Sequence, residues 1–258
     1  MNLWAYHVSG DAPLLERAQT ALTTAMKDFP AKWVPTSNGI AMQRARILLP
    51  LAFLVRVNDT ALHRRWLIDA VEGLLSRQHC EGAAGTAWCA YREELSHPGW
   101  GGSTRVPNND DYGTFEAPLN QDNADPVSDF LYTSNFALLG LHEAAAALGN
   151  ATIKAEEDKL ANFCVRVQGR SKEQPMMDGS WSRAFDYDKW EVWASDADAG
   201  WGAWSVESGW TQSWITIVLG MRLLNTSLWD LGSSGVYDHI RTDFEQMTQV
   251  MFPSEGER

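Results

Sequence analysis

The chain has 258 residues, a formal net charge of −12, and 45% hydrophobic against 21% charged residues, values typical of a globular protein with a sizeable core. The acidic balance argues against a nucleic-acid partner or an anionic membrane surface, because both favour a basic face. The N-terminal residues lack the basic and apolar regions of a signal peptide, and the longest apolar run, residues 47–55, is too short to span a bilayer. We therefore expect a soluble protein that is cytoplasmic, or periplasmic if a leader has been removed.

Hydrophobic periodicity predicts seven helices of two kinds. Some are amphipathic, with one apolar face, and others are apolar nearly all round, as buried helices are. Thr60 is the expected N-cap of one amphipathic helix, and Gly149 with Asn150 closes a buried one. The amphipathic helices are predicted at residues 12–28, 60–77, 152–168 and 236–251, and the buried helices at 38–57, 127–148 and 208–225.

The segment between residues 79 and 126 is rich in Gly, Asn, Asp and Pro and has no sustained periodicity, which is typical of a long loop. Two of the three cysteines, Cys80 and Cys89, flank its first part. A bridge between them requires that the loop fold back on itself. Because the cysteine number is odd and no metal-ligand spacing occurs, we expect unpaired, mostly buried thiols, Cys164 included.

The order of the helices contains a repeat. Buried helices begin near residues 38, 127 and 208, and each is followed by an amphipathic helix, as in helical-hairpin arrays. Buried helices inside and amphipathic helices outside predict an all-α fold, a partial or complete α/α toroid of antiparallel helical hairpins. Its long loops gather at one mouth, and no sheet has more than two short strands. An irregular helical domain is the alternative.

The helix count also bears on domain organisation. A closed ring of six hairpins needs twelve helices, whereas this chain supplies about seven, and its first helix lacks an inner partner. We expect a single domain over residues 1–258 that is the C-terminal portion of a longer parent. The alternative is an open arc that is completed by a missing N-terminal half or by a second copy in a homo-oligomer.

The stretch from Asp178 to Trp210 holds six of the 13 tryptophans, interleaved with Asp and Glu. Such a mixture suits a sugar, whose C–H faces stack on indoles while its hydroxyls bond to carboxylates. A compact domain keeps a long loop of this kind for a reason, and ligand binding is one. The alternative is that the indoles pack at the mouth of a helical bundle.

Several segments resemble the six-hairpin glycosidase superfamily, toward its C-terminal end. They are DGSW and SWSRAFD near residue 181, GWGAWSVESGWTQSW at 200–214, and REELSHPGWGG with LYTSNFALLGLHEA at 92–144. The likeness covers most of residues 37–230. It implies an α/α toroid that acts on an oligo- or polysaccharide, with a carboxylic acid pair in a central cleft and no cofactor.

Glycoside hydrolysis needs one protonated carboxyl to donate a proton to the leaving oxygen and one carboxylate as base or nucleophile. Glu207 is predicted to begin the third buried helix beside two tryptophans, although Glu is also favoured there by the helix dipole. Aspartates in the neighbouring loops are its candidate partners, although Asp is common in turns. The candidate catalytic residues are Glu207, Asp196, Asp198, Asp110 and Asp111.

Candidate substrate-binding residues are the aromatic side chains of these loops and one cation. Arg183 is a clamp for a substrate carboxylate or, alternatively, the partner in a structural salt bridge. No metal site is predicted, because the acidic residues at 110–125 lack EF-hand spacing. His97 and His142 are expected to be hydrogen-bonded structural residues. The candidate binding residues are Trp100, Tyr112, Trp181, Arg183, Trp201, Trp204 and Trp210.

Three functions are consistent with these residues. The first is a glycoside hydrolase-like domain with paired carboxylates in a Trp-lined cleft, and the second is a non-catalytic glycan-binding or scaffold fragment. The third is a polysaccharide lyase, which would use Tyr112 or His97 as base and Arg105 to neutralise a uronate. The sequence has no GxSxG, P-loop, dinucleotide or HExxH motif, which weighs against serine-hydrolase, NTPase, Rossmann and zinc-protease functions.

Overall fold

The computed structural model describes residues 1–33, 40–83, 85–91, 126–193 and 211–233. In these ranges the strands are β1 (Gln78–Glu81), β2 (Trp88–Tyr91), β3 (Val127–Asp129), β4 (Ala184–Asp186) and β5 (Glu191–Trp193). The helices are α1 (Asn2–Ser9), α2 (Ala12–Lys27), α3 (Ile40–Val57), α4 (Ala61–Leu75), α5 (Thr133–Leu148), α6 (Ala151–Arg166), α7 (Thr211–Leu223) and α8 (Leu228–Ser233).

The helices predicted at 12–28, 60–77 and 152–168 are confirmed by α2, α4 and α6. Their ends follow from local chemistry. Thr60 is the N-cap of α4, and its hydroxyl accepts the His63 N–H at 3.1 Å, as an N-cap should. Gly149 ends α5 in the left-handed conformation (φ 60°), which glycine adopts at little cost. The Asn150 side chain then accepts two N–H groups of the first turn of α6.

The core lies between the two predicted buried helices α3 and α5, which pack directly on each other. Leu48 and Leu51 of α3 and Leu138 of α5 are fully buried. Gly140 permits the close approach, because a Cβ atom at this position would lie 2.6 Å from Leu48 Cβ. Helix α4 covers α3, while α6 and α7 pack against α5.

The expected all-α toroid is wrong, because the described residues include two antiparallel sheets. Strands β1 and β2 form a hairpin, and β3, β4 and β5 form a three-stranded sheet in that order, which exceeds the predicted limit of two strands. Val127 pairs with Asp186, and Asp186 pairs with Glu191. The strands have three or four residues each, too few for a period-two pattern to stand out in the sequence.

The helix predicted from residue 127 begins only at Thr133, because residues 127–129 form β3. Asp129 directs this change from strand to helix. Its buried carboxylate accepts the backbone N–H groups of Leu131, Tyr132 and Thr133 at 3.0–3.1 Å. These bonds turn the chain from the strand into the first turn of α5, where backbone N–H groups lack helical partners.

The expectation of three free thiols is also wrong. Cys80 and Cys89 form a disulfide, and Cys164 is free and buried. The loop does fold back on itself, because Cys80 faces Cys89 in the β1–β2 hairpin and their Cα atoms lie 4.1 Å apart. The odd cysteine count therefore reflects one cross-strand bridge and one buried thiol.

A separate result concerns membranes. Among the described residues, no helix is long and apolar enough to cross a bilayer.

Candidate functional site

The Trp-rich stretch contains a tight hairpin rather than a continuous loop. Strands β4 and β5 are joined by residues 187–190, and Asp186 fixes this turn because its Oδ1 accepts the N–H groups of Asp188 and Lys189 at 3.0 Å. Trp190 closes the turn with a φ of 57°. A bulky residue in the left-handed region is strained, and such strain is concentrated at functional sites.

Trp190 belongs to a cluster of rings that joins the two sheets. Its side chain is 44% exposed, and its ring lies in edge contact with Trp88 and Phe185, at centroid distances of 5.4 and 5.3 Å. Trp88 also contacts His79 at 6.0 Å, and His79 stacks on Tyr187 at 4.9 Å. We call the cluster of His79, Trp88, Tyr187 and Trp190 the aromatic patch. Trp190 is exposed and His79 partly exposed, whereas Trp88 and Tyr187 are buried beneath them.

The core supports the aromatic patch from below. Phe163 of α6 stacks on Trp88 at 5.2 Å and on Phe130 at 5.5 Å. Phe163 and Phe130 are both fully buried. The exposed indole of Trp190 is therefore held by rings that cannot move independently of the core.

Three acidic residues lie next to members of the patch. Glu81 accepts a hydrogen bond from His79 Nε2 at 3.2 Å. Glu191 lies 3.9 Å from the ammonium group of Lys189. Asp188, Lys189 and Glu191 are all exposed beside Trp190. An exposed indole that is flanked in the chain by exposed acidic residues is suited to a neutral ligand that has both C–H faces and hydroxyl groups.

Most predicted site residues lie outside the described residues. These are Glu207, Asp196, Asp198, Asp110, Asp111, Trp100, Tyr112, Trp201, Trp204 and Trp210. Their roles stay predictions.

Trp181, one of the two predicted binding residues in the described ranges, is 4% exposed. Its indole N–H donates to the Cys164 carbonyl at 2.6 Å. Its backbone N–H donates to Gln212 Oε1, and its carbonyl accepts from Gln212 Nε2. Trp181 thus joins α6, the Trp-rich stretch and α7.

Arg183, the other predicted binding residue, lies near Asp129. Burial raises the pKa of Asp129 to about 6, while the positive charge of Arg183 and the backbone hydrogen bonds oppose that rise. The Arg183 carbonyl also accepts the N–H groups of Phe130 and Leu131. These contacts tie β4 to the beginning of α5.

A second cluster of charged residues lies beside the C-terminal half of α5. His142 Nδ1 donates to Glu157 Oε1 at 2.9 Å, and its Nε2 donates to the Thr226 carbonyl at 2.8 Å. Neither acceptor carries a proton, so both ring nitrogens carry one and the imidazole is positively charged. The prediction that His142 is a hydrogen-bonded structural residue is confirmed.

Glu157, fully buried, is the centre of this ion cluster. Arg222 bridges Glu157 and Asp158 at 2.7 Å each, and Lys154 lies 3.0 Å from Glu157. Burial alone would raise the pKa of Glu157, but hydrogen bonds from His142 and Arg222 hold it at about 2. Burial opposes protonation of His142, yet the hydrogen bond and the negative charge of Glu157 raise the pKa of His142. The ion cluster fastens α5, α6 and α7 together.

Two cavities lie away from the aromatic patch. One, of about 310 Å³, is apolar and lies between α1, α3, α5 and α7, with Arg46 stacked on Phe136 at its edge. The other, of about 390 Å³, lies above the ion cluster and is lined by Lys154, Arg222 and Asn225, among others. Within the described ranges, no three His, Cys, Asp or Glu side chains are arranged to hold a metal ion.

The sequence prediction did not select the residues of the patch. Trp190 lies in the stretch that was singled out, but it was not chosen, and His79 and Trp88 lie near the cysteines. The usable signal was Asp186, since an Asp side chain that hydrogen-bonds the backbone two residues on marks a tight turn. Pairing Cys80 with Cys89 would have placed Trp88 close to His79.

Comparison with family models, curated proteins and solved structures found no match for this chain.

Proposed function

We propose that this protein binds carbohydrate at the aromatic patch. The observation that carries the proposal is Trp190, a strained and exposed indole on a rigid aromatic base, with exposed acidic residues next to it in the chain. A tryptophan side chain can bury up to about 250 Å². At 44% exposure, roughly 110 Å² of this surface stays in water, which forgoes about 2.5–3 kcal/mol of burial energy. Stacking a pyranose ring on this surface would recover part of that energy.

The carboxylates give the ligand its chemical class. Glu81, Asp188 and Glu191 are hydrogen-bond acceptors and suit the hydroxyl groups of a neutral sugar. They would repel a uronate or a sulfated glycan, because like charges at short range are unfavourable. The favoured ligand is therefore a neutral oligo- or polysaccharide.

The test compares Trp190→Ala with Trp66→Ala on an array of neutral and acidic oligosaccharides. Trp66 is a partly exposed tryptophan of α4, so its loss controls for removal of an indole elsewhere. We expect wild type and Trp66→Ala to bind neutral glycans alike, and Trp190→Ala to bind at least tenfold more weakly. Trp190→Tyr keeps a ring and should retain part of the affinity.

Absence of binding by the wild type, or unchanged binding by a folded Trp190→Ala variant, would contradict the proposal. Near-ultraviolet circular dichroism of each variant verifies that the aromatic core is intact.

The proposal that the protein also hydrolyses the bound glycan rests on the sequence. It assigns acid or base roles to Glu207 and to an aspartate among Asp110, Asp111, Asp196 and Asp198, because cleavage of a glycosidic bond requires two carboxyl groups. Glu207→Gln should keep binding and lose turnover on a glycan that the wild type hydrolyses. If the wild type binds a glycan but does not hydrolyse it, the non-catalytic alternative holds. Unsaturated sugar products would instead indicate a lyase.

A further inference from the structure

The sequence contains three Asn-x-Ser/Thr tripeptides, Asn58–Thr60, Asn150–Thr152 and Asn225–Ser227. This tripeptide is the acceptor motif for N-linked glycosylation. The three tripeptides lie directly after α3, α5 and α7, in the short connections α3–α4, α5–α6 and α7–α8. We propose that the protein carries N-linked glycans on this end of its helices, with Asn225 as the principal acceptor.

Contacts between side chains and backbone place the three connections on one face. Arg56, two residues before Asn58, lies 3.8 Å from Asp230 of α8. His142 of α5 donates to the Thr226 carbonyl, inside the third tripeptide. Asn150 and Asn225 line the same cavity of about 390 Å³.

This end of the structure is far from the aromatic patch. Helix α5 begins beside the three-stranded sheet at Thr133 and ends at Leu148, next to Asn150. Its 16 residues span about 24 Å at 1.5 Å per residue. Glycans at the three asparagines would therefore leave the proposed binding surface uncovered.

The folded structure can accommodate a glycan at each asparagine. Asn225 is exposed, with a φ of 49°, and Asn58 and Asn150 are partly exposed. Asn150 uses its Oδ1 to cap α6, accepting the N–H of Thr152 at 2.9 Å. A glycan is attached to Nδ2, so this cap persists after modification.

Helix capping also favours Asn, Ser and Thr at such turns, and Thr60 and Ser227 do cap α4 and α8. Capping accounts for Thr60, Ser227 and Asn150, but it does not require Asn at positions 58 and 225 or Thr at position 152. The Cys80–Cys89 disulfide adds an independent observation, because disulfides persist in the oxidising secretory and extracellular compartments where N-glycosylation takes place.

The modification is a group transfer. The amide nitrogen of Asn225 attacks C1 of an oligosaccharide that is linked to a polyprenyl diphosphate. The C1–O bond to the diphosphate breaks as the N–C1 bond forms, and the polyprenyl diphosphate leaves with its electron pair while the amide loses one proton. The oligosaccharyltransferase acts on the extended chain before folding, so the later capping role of Ser227 does not block it.

The experiment uses the protein isolated from its native source. Treatment with peptide N-glycosidase in ¹⁸O-labelled water converts a glycosylated Asn into labelled Asp, which peptide mass spectrometry locates. We expect labelled Asp at position 225, and Asn135, which is followed by Phe136 and Ala137 and so lies in no acceptor motif, is the internal control. Asn225→Gln, expressed in the same source, should increase the electrophoretic mobility of the protein, whereas Thr226→Ala, which keeps the acceptor motif, should not.

Labelled Asp at 225, alone or together with 58 and 150, supports the proposal. Unlabelled Asn at 225 in the native protein overturns it, as does a glycan that persists at this peptide after Asn225→Gln.

Discussion

Replacing Gly140 by alanine tests how closely α3 and α5 are packed. The added Cβ would lie 2.6 Å from Leu48 Cβ and 3.2 Å from the Ala45 carbonyl oxygen. Neither atom is the end of a flexible side chain, so the helices must separate. Alanine gains about 1 kcal/mol over glycine in helix propensity, whereas overpacking costs about 1–3 kcal/mol. Because both contacts are rigid, we expect a net loss of about 1–2 kcal/mol in the free energy of unfolding.

The matched control is Gly220→Ala in α7. Among the described residues, no atom beyond the local helix backbone and the chain neighbours lies within 4 Å of a Cβ placed at Gly220. The helix propensity then acts alone, and stability should rise by up to about 1 kcal/mol. For a protein of this size, 1 kcal/mol shifts Tm by about 2–4 °C. Gly140→Ala should therefore lower Tm by about 2–8 °C, and Gly220→Ala should raise it by up to about 4 °C.

Urea unfolding followed by far-ultraviolet circular dichroism gives the two free energies directly. The packing argument is refuted if Gly140→Ala is as stable as the wild type, or if both substitutions change stability in the same direction.

Three further predictions concern the ion cluster and the disulfide. Glu157→Gln should lower the free energy of unfolding in urea by about 3–5 kcal/mol, because it leaves the buried His142 cation without its carboxylate partner. Asp158→Asn, at a half-exposed ion pair, should lower it by less than about 1 kcal/mol; equal losses would contradict this. Because the pKa of His142 is raised, its contribution to stability is complete below its unfolded pKa of 6.5 and is lost as pH rises through the folded pKa. The contribution of Glu157 is complete above its unfolded pKa of 4.5 and is lost as pH falls towards about 2. The stability added by the cluster should therefore be greatest between pH 4.5 and 6.5, and His142→Gln should flatten the high-pH side of the plot of stability against pH. Reducing the Cys80–Cys89 disulfide should lower the free energy of unfolding by about 2–3 kcal/mol, because the bridge closes only a short loop. The stability of the Cys80→Ser/Cys89→Ser variant should not respond to reductant.

The helices were predictable because their signals are local. The apolar periodicity of α2, α4 and α6, and the Thr60 cap, depend on residues within one or two turns of each other. Helix α1 was missed because only Leu3 among its residues is buried, which leaves no apolar stripe to detect.

The strands were not predictable, because each depends on a distant partner. Residues 127–129 resemble the beginning of the helix that follows until β4, formed by residues 184–186, pairs with them. The same limitation applies to the aromatic patch, whose rings come from β1, β2 and the β4–β5 turn. Only the pairing of Cys80 with Cys89 and the turn at Asp186 bring these rings together.

The hydrogen bonds of the Gln212 side chain restrict which residues can occupy position 212. Its side-chain amide donates to the carbonyl and accepts from the N–H of Trp181, which is what an adjacent strand would do with its own peptide group. Asparagine is one methylene shorter, and glutamate has no donor to offer. A library randomised at position 212 and selected for folding should therefore return glutamine, a strict requirement at a helix start where most side chains are normally interchangeable.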